Sequence, residues 1–163
     1  MSATAGADAS PGDERPLPED ACIAALRRMY GARGQAGADH ILPFLTDDFA
    51  FVPAGTDRSS LQEDYTGPAG FARFIRRQAD WTDDTWWPVL DEMLVGERWV
   101  VAVVRVETTR TDGTAGRFRI LHRWQRRGGL FAAFRSFVDD QAAYDRFHTA
   151  TDADSATDSA GQP

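Results

Sequence analysis

From residue 99 to residue 127 apolar and polar side chains alternate with a period of two, and no other feature of the chain constrains its fold so tightly. In "RWVVAVVRVETTR", Val100, Ala102, Val104 and Val106 share one side, and Trp99, Val101, Val103, Arg105 and Glu107 share the other. In "GRFRILHRWQRR", Phe118, Ile120, His122 and Trp124 fall together, opposite Arg117, Arg119, Leu121 and Arg123. Successive side chains of a strand point to opposite faces of a sheet, so each segment reads as a strand with one covered face. "TWWPVLDEMLV" before them and "LFAAFRSFVDD" after them also read as strands. The connections "GE" at 96–97, "TDGTAG" at 111–116 and "GG" at 128–129 carry hairpin chemistry. About four antiparallel strands therefore follow one another from residue 85 onward.

Upstream the period changes. "PEDACIAALRRMYGARG" is a helix with Pro18 in its first turn and Gly31 or Gly34 ending it, and Ile23, Leu26 and Tyr30 lie on its buried stripe. A short helix follows at "ADHILPFL", then a strand at "DDFAFVPAG" stopped by Pro53 and Gly55. "YTGPAGFARFIRRQADW" is a second long helix, with Phe71, Phe74 and Ile75 inward and Arg73, Arg76 and Arg77 in water. "DDQAAYDRF" closes the series with a short helix that Asp139 and Asp140 cap. Segregated helices followed by a meander define an α+β architecture, helices covering one face of a curved antiparallel sheet.

At 163 residues and 42% hydrophobic, the chain has room for one domain. That domain spans 18–147. Residues 1–17 and 148–163 are small, polar and acidic, and read as disordered tails. The net charge of −7 lies largely in them: 18–147 holds 19 acids against 17 arginines. A near-balanced core argues against nucleic acid as a partner, even though Arg117, Arg119, Arg123, Arg126, Arg127 and Arg135 interleave with aromatics. Three of these arginines alternate along one strand face, the spacing of a solvated or dimer-forming sheet surface.

All 18 basic residues are arginine. No lysine is available for a Schiff base or a P-loop, and no dinucleotide fingerprint appears. Cys22 is the only cysteine, placed in an apolar helical pattern as a buried structural thiol, and it excludes an internal disulfide or a thiolate zinc site. The three histidines, His40, His122 and His148, have no metal-binding spacing, and His40 and His148 read as surface residues near helix ends. The N-terminal stretch is no signal peptide and no apolar run reaches about 18 residues, so the expectation is a cytoplasmic protein without membrane association.

The segments "LTDDFAFVPAG", "YTGPAGFARFIRR", "LVGERWVVAVVRVETTR" and "LHRWQRRGGLFAAFRSFVDDQAAYDRF" together resemble the nuclear transport factor 2-like superfamily, in its SnoaL-like branch related to ketosteroid isomerase. The resemblance implies a cone-shaped sheet around the helices, an apolar pocket between them, a homodimer, and cofactor-independent isomerases, polyketide cyclases, epoxide hydrolases and dehydratases among its members, with a cyclase or isomerase role in secondary metabolism. Other members bind ligands without turnover or act as dimerisation modules, so the fold leaves the reaction undecided. Of the ketosteroid isomerase pattern, the first-helix tyrosine matches Tyr30. The base position falls at Val52–Pro53, which carry no carboxylate, and the late-strand aspartate falls near Ile120.

His122, two residues from Ile120 on the same strand face, is the titratable group left at that site. Among Phe and Trp its imidazole stays neutral at pH 7, fit to be a base or a hydrogen-bond donor, or else it ties a buried polar group of the core. Tyr30 is either a core tyrosine or a stabiliser of negative charge. Arg105 joins Glu107 in an ion pair on the outer face, or, if the sheet turns it inward, clamps an anion. One of Asp91 and Glu92 faces in by alternation. The expected pocket wall is Phe71, Phe74, Phe118, Ile120 and Trp124, enclosing a hydrophobic metabolite with no cofactor and no metal. A binding protein and a scaffold with a filled pocket are the other two readings.

Overall fold

The structure is a computed structural model that describes residues 20–55, 61 and 63–149. The expected tail at 1–17 lies outside the described residues, as does the expected tail at 148–163 apart from His148 and Thr149.

Helix α1 (Ala21–Gly31) starts where the Asp20 carboxylate accepts from the Cys22 backbone N–H, and α2 (Gly34–Ile41) follows after a kink at Gly34, whose φ of 50° suits a residue without Cβ. A single 3-10 turn (Leu42–Phe44) leads into β1 (Leu45–Val52). The two-residue β2 (Tyr65–Thr66) precedes α3 (Gly67–Thr82), which has Pro68 in its first turn. The meander runs through β3 (Pro88–Val95), β4 (Trp99–Thr109), β5 (Ala115–Arg127) and β6 (Leu130–Val138). Asp140 caps α4 (Gln141–Phe147) by accepting from Ala143 N–H at 2.8 Å.

The sheet order is β2-β1-β6-β5-β4-β3. Neighbours are antiparallel except β1 and β6, which run parallel. The sheet is thus mixed and six-stranded, where the sequence predicts about four antiparallel strands beside one unplaced strand. Parallel partners need a long connection, here the whole of β2, α3 and the hairpins, and a period-two pattern does not reveal which distant edge a strand will join.

The alternation on β4 and β5 holds. Val100, Ala102, Val104 and Val106, with Phe118, Ile120, His122 and Trp124, are buried beneath the helices. Their apolar members form one core with Phe49, Phe51, Phe71, Phe74 and Leu26. On β3 the alternation breaks: Leu90 pairs with Val104 and Glu92 with Val103, leaving Asp91 at a bulge. Asp91 and Glu92 are therefore both exposed, and neither faces the interior.

The outer face corrects the reading of Arg105. Its guanidinium is exposed and meets Asp91 at 2.7 Å, while Glu107 pairs with Arg117 on the next strand at 3.0 Å. Arg105 and Glu107 stand two residues apart on one strand, so cross-strand neighbours offer each a closer partner. Arg123 stacks on Trp99 at 4.8 Å. No described helix is long and apolar enough to cross a membrane.

Candidate functional site

Between the sheet and α1, α2 and α3 lies a cavity of about 90 Å³. Its walls include Met29, Phe71, Phe74, Ile120, Trp124 and Phe134. For scale, an apolar cavity of about 150 Å³ holds a benzene, so this one is smaller than a ring fills, and a ring enters it only as the lining gives way. Four of the five expected wall residues are in place. Phe118 is not: it lies deeper along β5, packed on Trp86, Tyr144 and Phe147. Trp86 and Tyr144 stand between it and the cavity as wall.

Three residues on two elements make the polar centre. Tyr30 comes from the last turn of α1, and His122 and Trp124 come from adjacent inward positions of β5. The Trp124 indole N–H donates to Tyr30 Oη at 3.1 Å, and Tyr30 Oη lies 2.8 Å from His122 Nδ1. The indole is a donor only. Burial pushes the Tyr30 hydroxyl well above the usual tyrosine range and holds His122 down to about 3, so at neutral pH the phenol keeps its proton and the imidazole is neutral. Among the described residues His122 Nδ1 is the one acceptor within hydrogen-bond reach of the phenol proton, and with that bond made the imidazole proton sits on Nε2. That N–H has no protein partner among the described residues, and His122 lines the cavity. Of the two roles open to a neutral His122, the geometry favours donor over base. Ser136 lies directly across from His122 on β6 and lines the same cavity.

Sequence reasoning did not find Ser136, Gln78 or His148. Gln78 is buried and lines the cavity. Its position, four residues after Phe74 and seven after Phe71, continues the buried stripe of α3, a signal masked by its polar side chain. His148 is fully buried, which corrects its reading as a surface residue. It stacks on Tyr144 at 4.1 Å, four residues earlier, and Arg110 donates to the Phe147 and Thr149 carbonyls, drawing this end of the chain onto the domain. His40 is exposed. Among the described residues no three His, Cys, Asp or Glu side chains cluster as a metal site. Cys22 is buried, as expected, with its thiol pushed up by desolvation.

His148 is held down to about 4 and His122 to about 3, both chiefly by burial. An unfolded histidine titrates near about 6.5, so below that pH the unfolded chain binds protons that the folded chain refuses. Their contribution is complete above about pH 6.5 and is lost as pH falls toward 4, by up to about 1.4 kcal/mol per pH unit for each histidine. Urea midpoints measured between pH 8 and pH 4 should therefore start to fall just below neutrality. A profile flat to pH 5 would contradict the burial of both rings.

Helices laid over a curved sheet, with an apolar cavity and a fixed hydrogen-bond donor between them, define a pocket protein of the nuclear transport factor 2-like class. The SnoaL-like domain model matches residues 26–134, and the chain belongs to that family. No curated protein matches the chain significantly in sequence. Among solved structures it is similar to Bal32a from a soil-derived mobile gene cassette, at 19% identity and a TM-score of 0.68 over 78% of this chain and 95% of that one. An NTF2-like protein of unknown function from Burkholderia pseudomallei matches at 20% identity and a TM-score of 0.66, over 79% of this chain and 98% of that one. TerC co-crystallised with polyporic acid matches at 20% identity and a TM-score of 0.65, covering 77% of this chain and 96% of that one. At such identities the likeness establishes the fold.

Proposed function

We propose that this protein takes a small, largely apolar carbonyl metabolite into the cavity, with the carbonyl oxygen on the His122 Nε2–H. There it promotes proton transfer of the isomerase or cyclase type without a cofactor, in secondary metabolism: the α-proton passes to water, the electron pair moves onto the carbonyl oxygen held by His122, and water returns a proton to the enolate carbon. The observation that carries the reading is the chain Trp124 to Tyr30 to His122, which holds a neutral imidazole in a buried site. A neutral donor in a low-dielectric pocket stabilises negative charge developing on an enolate oxygen without itself changing protonation state. Tyr30 acts through His122 as a positioning residue, and Arg105, on the outer face, takes no part. Two solved structures of similar fold carry small organic molecules: TerC was co-crystallised with polyporic acid, and a hypothetical protein with a ketosteroid isomerase-like fold from Catenulispora acidiphila was solved in complex with trimethylamine. Leu121 and Phe137, paired and part-exposed on the outer face, support a homodimer through that surface.

A ligand carrier without turnover is the second reading. It is favoured by the lining itself, in which the sole carboxylate among the described residues is Asp84, exposed and just beyond the end of α3.

Acetophenone in deuterated buffer separates the two. For an enzyme, NMR should show the methyl protons exchanging at least tenfold faster with the wild type than with His122→Phe, and His122→Gln should retain part of the rate. Saturable binding with exchange no faster than in buffer would transfer the conclusion to the carrier. Absence of binding would overturn the pocket reading altogether.

A further inference from the structure

Gln78 reaches the cavity from α3, on the side opposite the strand that carries His122. It is 2% exposed. Its Nε2 lies 3.2 Å from His148 Nε2, and His148 Nδ1 lies 3.0 Å from the Tyr144 carbonyl oxygen. Since a carbonyl only accepts, the Nδ1 of a neutral His148 must be the one that donates, and its Nε2 then presents a lone pair. That lone pair requires a donor, so the Gln78 amide turns its NH₂ toward His148. The opposite orientation would set a bare Nδ1 against the Tyr144 carbonyl. Gln78 Oε1 is thereby assigned as well. It is enclosed from the cavity as well as from bulk solvent and has no hydrogen-bond partner among the described residues, so a ligand reaches it only as the Gln78 side chain turns. Buried amide oxygens are rarely left in this state, and this one belongs to a residue that lines the ligand cavity.

We propose that Gln78 is a specificity-determining residue whose Oε1 accepts a hydrogen bond from a hydroxyl of the ligand. Resting on the pocket reading above, this narrows the substrate class to small hydroxylated aromatic or enolic carbonyl compounds. Such a molecule offers an acceptor oxygen to His122 on the sheet side and a hydroxyl donor to Gln78 on the helix side, with one apolar ring between them. A ligand lacking the hydroxyl leaves Oε1 buried and unpaired, which is how a site built for a hydroxyl rejects the analogue without it. The pairing of His148 with Gln78 gives the chain just beyond α4 a part in this selection, because it decides which end of the amide is free.

Calorimetric titration with 4-hydroxybenzaldehyde and with benzaldehyde tests the proposal on the intact protein. The wild type should prefer the hydroxylated compound by at least tenfold. Gln78→Leu should abolish that preference, and Gln78→Met, closer to the native length, serves as a second variant should the leucine form not fold. Equal binding of the two aldehydes by the wild type would overturn the role of Gln78 and leave the pocket reading intact. A preference that persists in the folded variant would overturn it as well. Binding of neither aldehyde would remove both.

Discussion

Trp124→Ala should lower the free energy of unfolding by about 3–5 kcal/mol, read as a fall in the urea midpoint with the slope unchanged. The indole is fully buried at the junction of three parts of the core. It meets Phe49 of β1, Phe71 of α3, and Phe131 and Phe134 of β6, the last with ring centroids 4.3 Å apart. These partners come from elements that also support one another, so they have little freedom to collapse into the space left behind, and a large-to-small change costs most where the site cannot relax. The substitution also enlarges the ligand cavity, since Trp124 forms part of its wall. Ligands with two rings should then gain affinity relative to those with one. A loss below about 1 kcal/mol would mean that the core repacks around the gap, far below the usual cost of removing a buried tryptophan.

Tyr30→Phe removes a single oxygen and should cost about 2–4 kcal/mol, because that oxygen serves two buried partners. The Trp124 N–H loses its acceptor and His122 Nδ1 its donor, while the ring itself still packs. Deleting one member of a buried network leaves the others with their desolvation uncompensated, whereas deleting both ends of a hydrogen bond is far less damaging. The double variant Tyr30→Phe/His122→Phe should therefore be more stable than the sum of the two single changes implies. Binding should respond too. With Nδ1 released, the imidazole proton is no longer assigned to Nε2, so affinity for a carbonyl ligand should fall several-fold even where the pocket keeps its shape. Full ligand affinity in Tyr30→Phe, with stability within about 0.5 kcal/mol of the wild type, would show that the hydroxyl has no part in setting the tautomer.

The aromatic side of β5 was legible in the sequence because burial of one face leaves a period-two trace in a single strand. His122 inside and Arg119 and Arg123 outside follow from it directly. The same logic failed at Asp91 and Glu92, where a bulge inserts one residue and resets the alternation. It also failed in part for Phe118: the parity was right, but position along the strand decides whether an inward ring meets a cavity or the packing behind it. Gln78 and His148 escaped notice for another reason. Each is a polar residue that is buried because it has the other as a partner, and partnership over 70 positions leaves no local pattern. Arg105 shows the converse case, in which an attractive chemical role depended on a face that the strand turned outward.

What the sequence determined alone was therefore the long helices and the strands of the meander, the α+β class and the inward faces of β4 and β5, all of which follow from short-range periodicity and turn chemistry. It also settled what chemistry was missing, since a chain without lysine and with one cysteine cannot supply those groups from any fold. The tertiary structure alone decided which groups touch. Tyr30 and His122 stand 92 positions apart, and only the packing of α1 across β5 brings a phenol oxygen within 2.8 Å of one imidazole nitrogen. Which nitrogen carries the proton, and hence what the pocket can offer a ligand, depends on that single approach, because hydrogen bonding is short-ranged and directional while the hydrophobic pattern is neither.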